Sequence, residues 1–200
     1  MIIIGITGPT GSGKTTALQC IQARGGCILD LDAVYHRLLE TNQELLHALD
    51  ARFPGVIQNG VLDRKALGNI VFANPAALAD LNTITGSFIQ AETNRLLAQA
   101  EAQGIPLTAV DAINLLETSL PEQCHCTIAV TAPVETRVQR LMARDAITEE
   151  YARLRISAQQ PNEYFEQRCD YTLFNDVDSP EAFYLRCNQL LDTILDTGKD

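Results

Sequence analysis

MIIIGITGPTGSGKTT, residues 1–16, carries two signals in succession. Residues 2–7 form a continuous apolar run closed by turn residues, the pattern of a strand buried on both faces. Gly8-Pro9-Thr10-Gly11-Ser12-Gly13-Lys14-Thr15 then completes the spacing G-x-x-x-x-G-K-[ST]. In such a loop Gly11 and Gly13 let the backbone wrap closely around a phosphate. Several N–H groups face inward, and the positive end of a helix starting near Lys14 attracts the anion. The Lys14 ammonium suits the outer phosphates of a nucleotide, and the Thr15 hydroxyl suits Mg2+. A full match at the edge of a predicted strand is not a chance glycine-rich turn, so ATP is the expected ligand. Gly8, Gly11, Ser12, Gly13, Lys14, Thr15 and Thr16 are the candidate binding residues.

Four further apolar segments, at residues 27–30, 107–111, 127–132 and 171–174, read as strands, most of them continuous rather than alternating. Continuous runs need cover on both faces, and the helical patterns between them supply crossovers. The expected fold is therefore α/β, a five-stranded and mainly parallel sheet with helices on both faces. Residues 33–104 are too long for one crossover and show helical patterns without a convincing strand, so a helical insertion is expected there. Its helices are expected over 33–40, over 42–53 with Thr41 as N-cap, from Asp63 to residue 71, from Asn74-Pro75 onward, and over 87–103. Later helices are expected to begin at Pro133, at Thr148-Glu149 (running to about 159) and at Pro180.

The chain has 200 residues, the size of one domain around one core. A formal charge of −10 disfavours broad contact with nucleic-acid phosphates, so a polyanionic ligand has to be held locally and no nucleic-acid partner is expected. No apolar run approaches the ~20 residues of a membrane span, and MIIIGITG has no basic leader before it. The expectation is a cytoplasmic protein with no membrane partner, a monomer or a weak homo-oligomer. The six cysteines show no repeated C-x-x-C and are expected to be mostly reduced core fillers. Cys124-His125-Cys126 lacks the second ligand pair of a tetrahedral metal site.

Residues 27–32 read CILDLD. If the strand continues to its end, Asp30 and Asp32 point the same way, at the carboxyl end of a strand near the first one, where doubly wound sheets bind ligands. A carboxylate there accepts the proton of a hydroxyl that meets the terminal phosphate; alternatively, Asp32 caps a helix starting at Ala33. Asp111 closes the strand at 107–110 and either holds magnesium through water or serves turn chemistry. Arg137, Arg140 and Arg144 share one helix face, which is either a solvated surface or a lid that closes on phosphates. Phosphoryl transfer gains from an arginine that neutralises transition-state charge, which makes Arg140 and Arg144 candidates.

Together these segments resemble the dephospho-CoA kinases over nearly the whole chain. The resemblance is carried by GITGPTGSGKT at 5–15, LDLDA at 29–33, IVFANP at 70–75 and RLMARD at 140–145, and it continues in AQQP at 158–161 and DY at 170–171. It implies a P-loop kinase fold and an ATP-dependent phosphotransferase that moves the γ-phosphate to the ribose 3′-hydroxyl of dephospho-CoA, with Mg2+ held by Thr15 and Asp111. It further implies Asp32 as general base, Lys14 and Arg144 as its catalytic companions, and Arg140 and Asn175 beside the nucleotide. On this basis one domain divides into a core at about 1–32, 105–136 and 168–200, a helical CoA-binding insertion at about 33–104 and a lid at about 137–160. The chain departs from the family pattern at Gly86-Ser87, where His-Pro is common, at Ile113-Asn114, at Phe165 and at Phe174. Those departures leave two alternatives open: a P-loop kinase with another small nucleotide-like acceptor, or a nucleotide-binding regulator.

Overall fold

The computed structural model describes residues 1–177 and 179–197; the end of the expected core, at 198–200, lies outside the described residues. The elements run β1 (Ile2–Thr7), α1 (Lys14–Ala23), β2 (Cys27–Asp30), α2 (Leu31–Thr41), α3 (Gln43–Arg52), β3 (Ile57–Gln58), β4 (Val61–Leu62), α4 (Arg64–Phe72) and α5 (Pro75–Ala102). They continue with β5 (Leu107–Asp111), two short 3₁₀ turns, β6 (Cys126–Thr131), α6 (Val134–Asp145), α7 (Glu149–Ser157), α8 (Asn162–Glu166), β7 (Tyr171–Phe174) and α9 (Pro180–Thr197). The chain forms two compact units, one of Met1–Leu29 with Ala100–Asp200 and one of Asp30–Gln99.

The first unit is built on an all-parallel sheet in the order β2-β5-β1-β6-β7. β1 lies at its centre, in register with β5 from Ile2↔Leu107 to Ile6↔Asp111 and with β6 from Ile4↔Cys126 to Thr7↔Ala129. Strands on both sides and helices on the faces leave Ile4 and Ile6 with no exposed surface. Each such side chain contributes roughly 1.5–3 kcal/mol of burial. α1 adds Ala17, Cys20 and Ile21 to the same core, and α9 adds Phe183, Cys187 and Leu191. Burial pushes the Cys187 thiol up to about 12, which leaves it an inert apolar filler.

The five expected strands are present, with β6 beginning and ending one position earlier than its pattern suggested. β2 lies one strand away from β1, with β5 between them. The β1–β5 register sets Asp111 level with Ile6, so the chain leaving β1 for its glycine-rich loop starts from the same sheet end as this carboxylate.

The second unit is mostly helical, but it contains a strand pair that the sequence reading missed. β3 and β4 pair antiparallel, Ile57↔Leu62 and Gln58↔Val61, around Asn59 (φ 53°) and Gly60 (φ 78°). Asn-Gly with both residues left-handed is the favoured two-residue hairpin turn, so the signal was present in the chain. Asn42, not Thr41, caps α3: its side chain accepts from the Leu45 N–H at 2.9 Å, while the Thr41 hydroxyl donates to Arg37 O at 2.8 Å within α2. Asp63 caps α4 as expected, accepting from Lys65 and Ala66.

The two helices expected between residues 74 and 103 are one 28-residue helix, α5, capped by Asn74. A mid-helix glycine costs only about 1 kcal/mol against alanine, and propagation through a long helix absorbs that. Nothing lies within 4 Å of where a Cβ on Gly86 would be. α7 ends at Ser157, short of the expected 159, and the unforeseen α8 follows it.

Candidate active site

After β1 the chain turns through three glycines with positive φ: Gly8 (139°), Gly11 (76°) and Gly13 (107°). Close approach requires two of them independently of conformation. A Cβ on Gly8 would sit 2.0 Å from Val130 O in β6, and one on Gly13 would sit 2.4 Å from Asn175 Nδ2. The loop is thus pressed against the sheet and against Asn175. Gly13 is the N-cap of α1 and brings no side chain to it, so the first N–H groups of that helix are available to an anion.

A cleft of about 580 Å³ opens over this loop, lined by Thr10, Gly11, Ser12, Gly13, Lys14, Thr15, Asp111, Arg140, Leu141, Ala143 and Arg144. Eight of the residues singled out from the sequence meet here, from Gly11 to Thr15 together with Asp111, Arg140 and Arg144. The Lys14 ammonium donates to Gly8 O at 2.7 Å. Arg140 donates to the carbonyls of Gly11 and Ser12, each at 3.2 Å, which ties α6 to the loop. Arg144 is 58% exposed and paired with Asp145 at 2.7 Å. Hydrogen bonds from Arg144 and then Arg155 hold the Asp145 carboxyl at about 2. The Thr15 hydroxyl and the Asp111 carboxylate line the same cleft and are hard oxygen donors, the kind of ligand set that Mg2+ takes.

Gly8, Thr16 and Asn175 are not among the lining residues; they support the loop. Thr16 donates its N–H to Gly13 O at 3.0 Å. Asn175 is 3% exposed, donates from Nδ2 to Ser12 O at 2.9 Å and is fixed by its own N–H on Thr131 O at 2.8 Å. The buried Ser12 Oγ has no hydrogen-bond partner among the described residues, which leaves a hydroxyl free inside the loop.

Asp32 belongs to the other compact unit. The strand argument that aligned it with Asp30 does not hold, because β2 ends at Asp30 and the backbone turns helical at Leu31. Asp30 is the N-cap of α2, its Oδ1 accepting from Asp32 N at 2.9 Å and Ala33 N at 3.1 Å. Asp32 therefore does not cap the helix. It stands exposed in the first turn, where a negative charge is favoured by the helix dipole.

Arg137 is neither a solvated residue nor part of the cleft lining. It is 2% exposed, and its Nε donates to Thr10 O at 2.9 Å from beneath the loop. The Gln159 side-chain oxygen accepts from the Thr10 N–H at 2.9 Å. Helical spacing put Arg137 on a face with Arg140 and Arg144, but periodicity does not tell which edge of a face meets another element. Gln159 carried no signal beyond its place in the AQQP segment, and Asn162 carried none.

The dephospho-CoA kinase family model matches residues 2–181. This chain belongs to the dephospho-CoA kinase family. The dephospho-CoA kinase of Latilactobacillus sakei is 37% identical over 173 residues, which are 86% of this chain and 86% of the relative. That of Thermus thermophilus is 37% identical over 175 residues, 87% and 83% of the two chains. A solved structure from Thermus thermophilus is similar at a TM-score of 0.79 and 34% identity, covering 98% of this chain and 97% of its own.

The fold is shared more widely. The dephospho-CoA kinase of Campylobacter jejuni gives a TM-score of 0.71 at 23% identity, covering 98% of each chain. A shikimate kinase from Acinetobacter baumannii gives 0.57 at 16%, covering 100% of this chain and 96% of its own. The fold is that of the P-loop kinases, and the activity is that of an ATP-using dephospho-CoA kinase. The family expectation from the sequence holds despite Gly86-Ser87 and the other departures. Among the described residues, no helix is long and apolar enough to cross a membrane.

Proposed function

We propose that the cleft over residues 10–15 holds the phosphates of ATP and that Lys14, Arg144 and Asp32 carry transfer to the ribose 3′-hydroxyl of dephospho-CoA. The observation that supports this reading most is the convergence of Lys14, Arg140, Arg144 and the start of α1 on one cleft, in a chain whose net charge is −10. A local cationic pocket on an acidic protein selects a polyanion by position, not by overall field. In the reaction the 3′-oxygen bonds to the γ-phosphorus as the bond from that phosphorus to the β–γ bridging oxygen breaks. ADP leaves, and the hydroxyl proton passes to the Asp32 carboxylate. Thr15 and Asp111 would hold Mg2+, which neutralises phosphate oxygens when bound.

The helical unit Asp30–Gln99 is proposed to hold the CoA moiety. It contains a hollow of about 340 Å³ whose lining includes Ser87, Phe88, Glu92 and Arg95. Residues 137–160, chiefly α6 and α7, are proposed as the lid. Its Arg144 pairs with a carboxylate in an exposed bridge of the kind that is worth little and exchanges readily for a phosphate. A cytoplasmic setting fits the six free thiols, and the acidic surface fits a monomer or a weak homo-oligomer.

The test is ADP release from ATP and Mg2+ by the purified chain with dephospho-CoA, with a panel of nucleosides and with no acceptor. Release confined to dephospho-CoA, with CoA as product, is the expected result. Release with another acceptor only, or tight ATP binding without turnover, would overturn the proposal. Arg144→Ala is expected to slow the chemical step ~10-fold or more while ATP affinity changes less. Single-turnover kinetics across an ATP titration separates the two, and an equal loss in both removes Arg144 from the transition state.

A further inference from the structure

Arg137 is the arginine of α6 that the cleft leaves unused. It ranks among the largest fully buried side chains of the protein, and burial alone pulls its pKa below the usual guanidinium value. It stays charged nonetheless. Its hydrogen bonds go to neutral acceptors: Nε to Thr10 O at 2.9 Å, NH1 to Asn162 Oδ1 at 3.4 Å and NH2 to Gln159 Oε1 at 3.5 Å. A buried cation among neutral acceptors is expensive, and an apolar side chain would fill the same space at lower cost. Core packing alone therefore does not account for it.

The geometry around Thr10 supplies a reason. The same Gln159 oxygen takes the Thr10 N–H at 2.9 Å, so both backbone polar groups of Thr10 are gripped by two side chains that also grip each other. Asn162 anchors this bracket to the end of β6 through Ala132 O at 2.9 Å. The next loop residue is pinned as well, because a Cβ on Gly11 would fall 3.1 Å from Arg137 O. Thr10 and Gly11 belong to the phosphate loop, whereas Gln159 follows α7.

We infer that Arg137, with Gln159, is a positioning residue for ATP: it fixes the path of Thr10-Gly11 so that the loop N–H groups converge on the phosphates, and it ties that path to α6 and the end of α7. The inference rests on the reading that this loop holds ATP. Its test measures ATP affinity by calorimetry, KM for both substrates and the thermal midpoint in the full chain, for Arg137→Met, Arg137→Lys, Gln159→Leu and, as reference, Lys14→Ala.

Arg137→Met and Gln159→Leu are each expected to weaken ATP binding ~10-fold or more while KM for dephospho-CoA changes less than twofold. Arg137→Lys, which still reaches an acceptor with one ammonium, is expected to recover part of the loss. Gln159→Leu leaves the buried cation in place and so reports even where Arg137→Met folds poorly. Parent-like ATP affinity in Gln159→Leu overturns the positioning role. So does a rise of both KM values in step with a falling thermal midpoint. If Lys14→Ala binds ATP as the parent does, the reading of the loop fails, and the positioning role fails with it.

Discussion

Replacing Lys14 with alanine is expected to lower transfer from ATP to dephospho-CoA by ~10³-fold or more. The cleft brings together three cationic side chains, each with partners of its own. Arg144 shares its charge with Asp145, and Arg140 commits its donors to the carbonyls of Gly11 and Ser12. Lys14 sits at the first position of α1, so its ammonium adds to the positive end of the helix on the phosphate side. On the proposed reading, removing this ammonium takes away the cation nearest the start of α1, where charge develops on the transferred group. One bond of the ammonium is to the loop itself, at Gly8 O. ADP release at saturating ATP is the measurement, with the thermal midpoint as control. A loss of less than tenfold in a folded protein would remove Lys14 from the chemistry.

The sequence exposed the parts of this fold that depend on local chemistry. The strand–loop–helix from Ile2 to Ala23 was legible because the glycines, the lysine and the apolar run each have one physical use at that spacing. β5 and β6 were legible because burial on both faces forces continuous apolar runs. What escaped were features set by partners distant in the chain. Arg137 reads as one of three surface arginines until α6 is laid against the loop, 127 residues away, where Thr10 waits for it.

The order β2-β5-β1 is likewise invisible from short range, because nothing in CILD says which strand it joins. The Asn59-Gly60 hairpin was a different kind of miss. Its turn signal was plain, but the flanking strands are only two residues each and fell below the length at which alternation is visible. The two helices expected from Asn74-Pro75 and over 87–103 erred in the opposite direction, since one helix runs through both.

Asp32→Asn is expected to lower turnover by ~100-fold or more while ATP binding stays near the parent value. The substitution keeps size and shape and removes the carboxylate proposed to take the proton. The structure makes this a cleaner experiment than the sequence suggested. Had Asp32 capped α2, the change would have mixed chemistry with helix stability; the cap is Asp30, through its bonds to Asp32 N and Ala33 N. Loss of a cap costs about 1 kcal/mol, whereas a first-turn charge is worth only ~0.3–1 kcal/mol.

Asp32→Asn should therefore leave the thermal midpoint almost unmoved. Asp30→Asn provides the matching control, because asparagine caps as well as aspartate does. A parent-like rate is expected for it. Equal turnover in Asp32→Asn and the parent would end the general-base assignment. If Asp30→Asn instead lost as much activity as Asp32→Asn, the two carboxylates would act as one unit, and the proton could no longer be assigned to Asp32 alone.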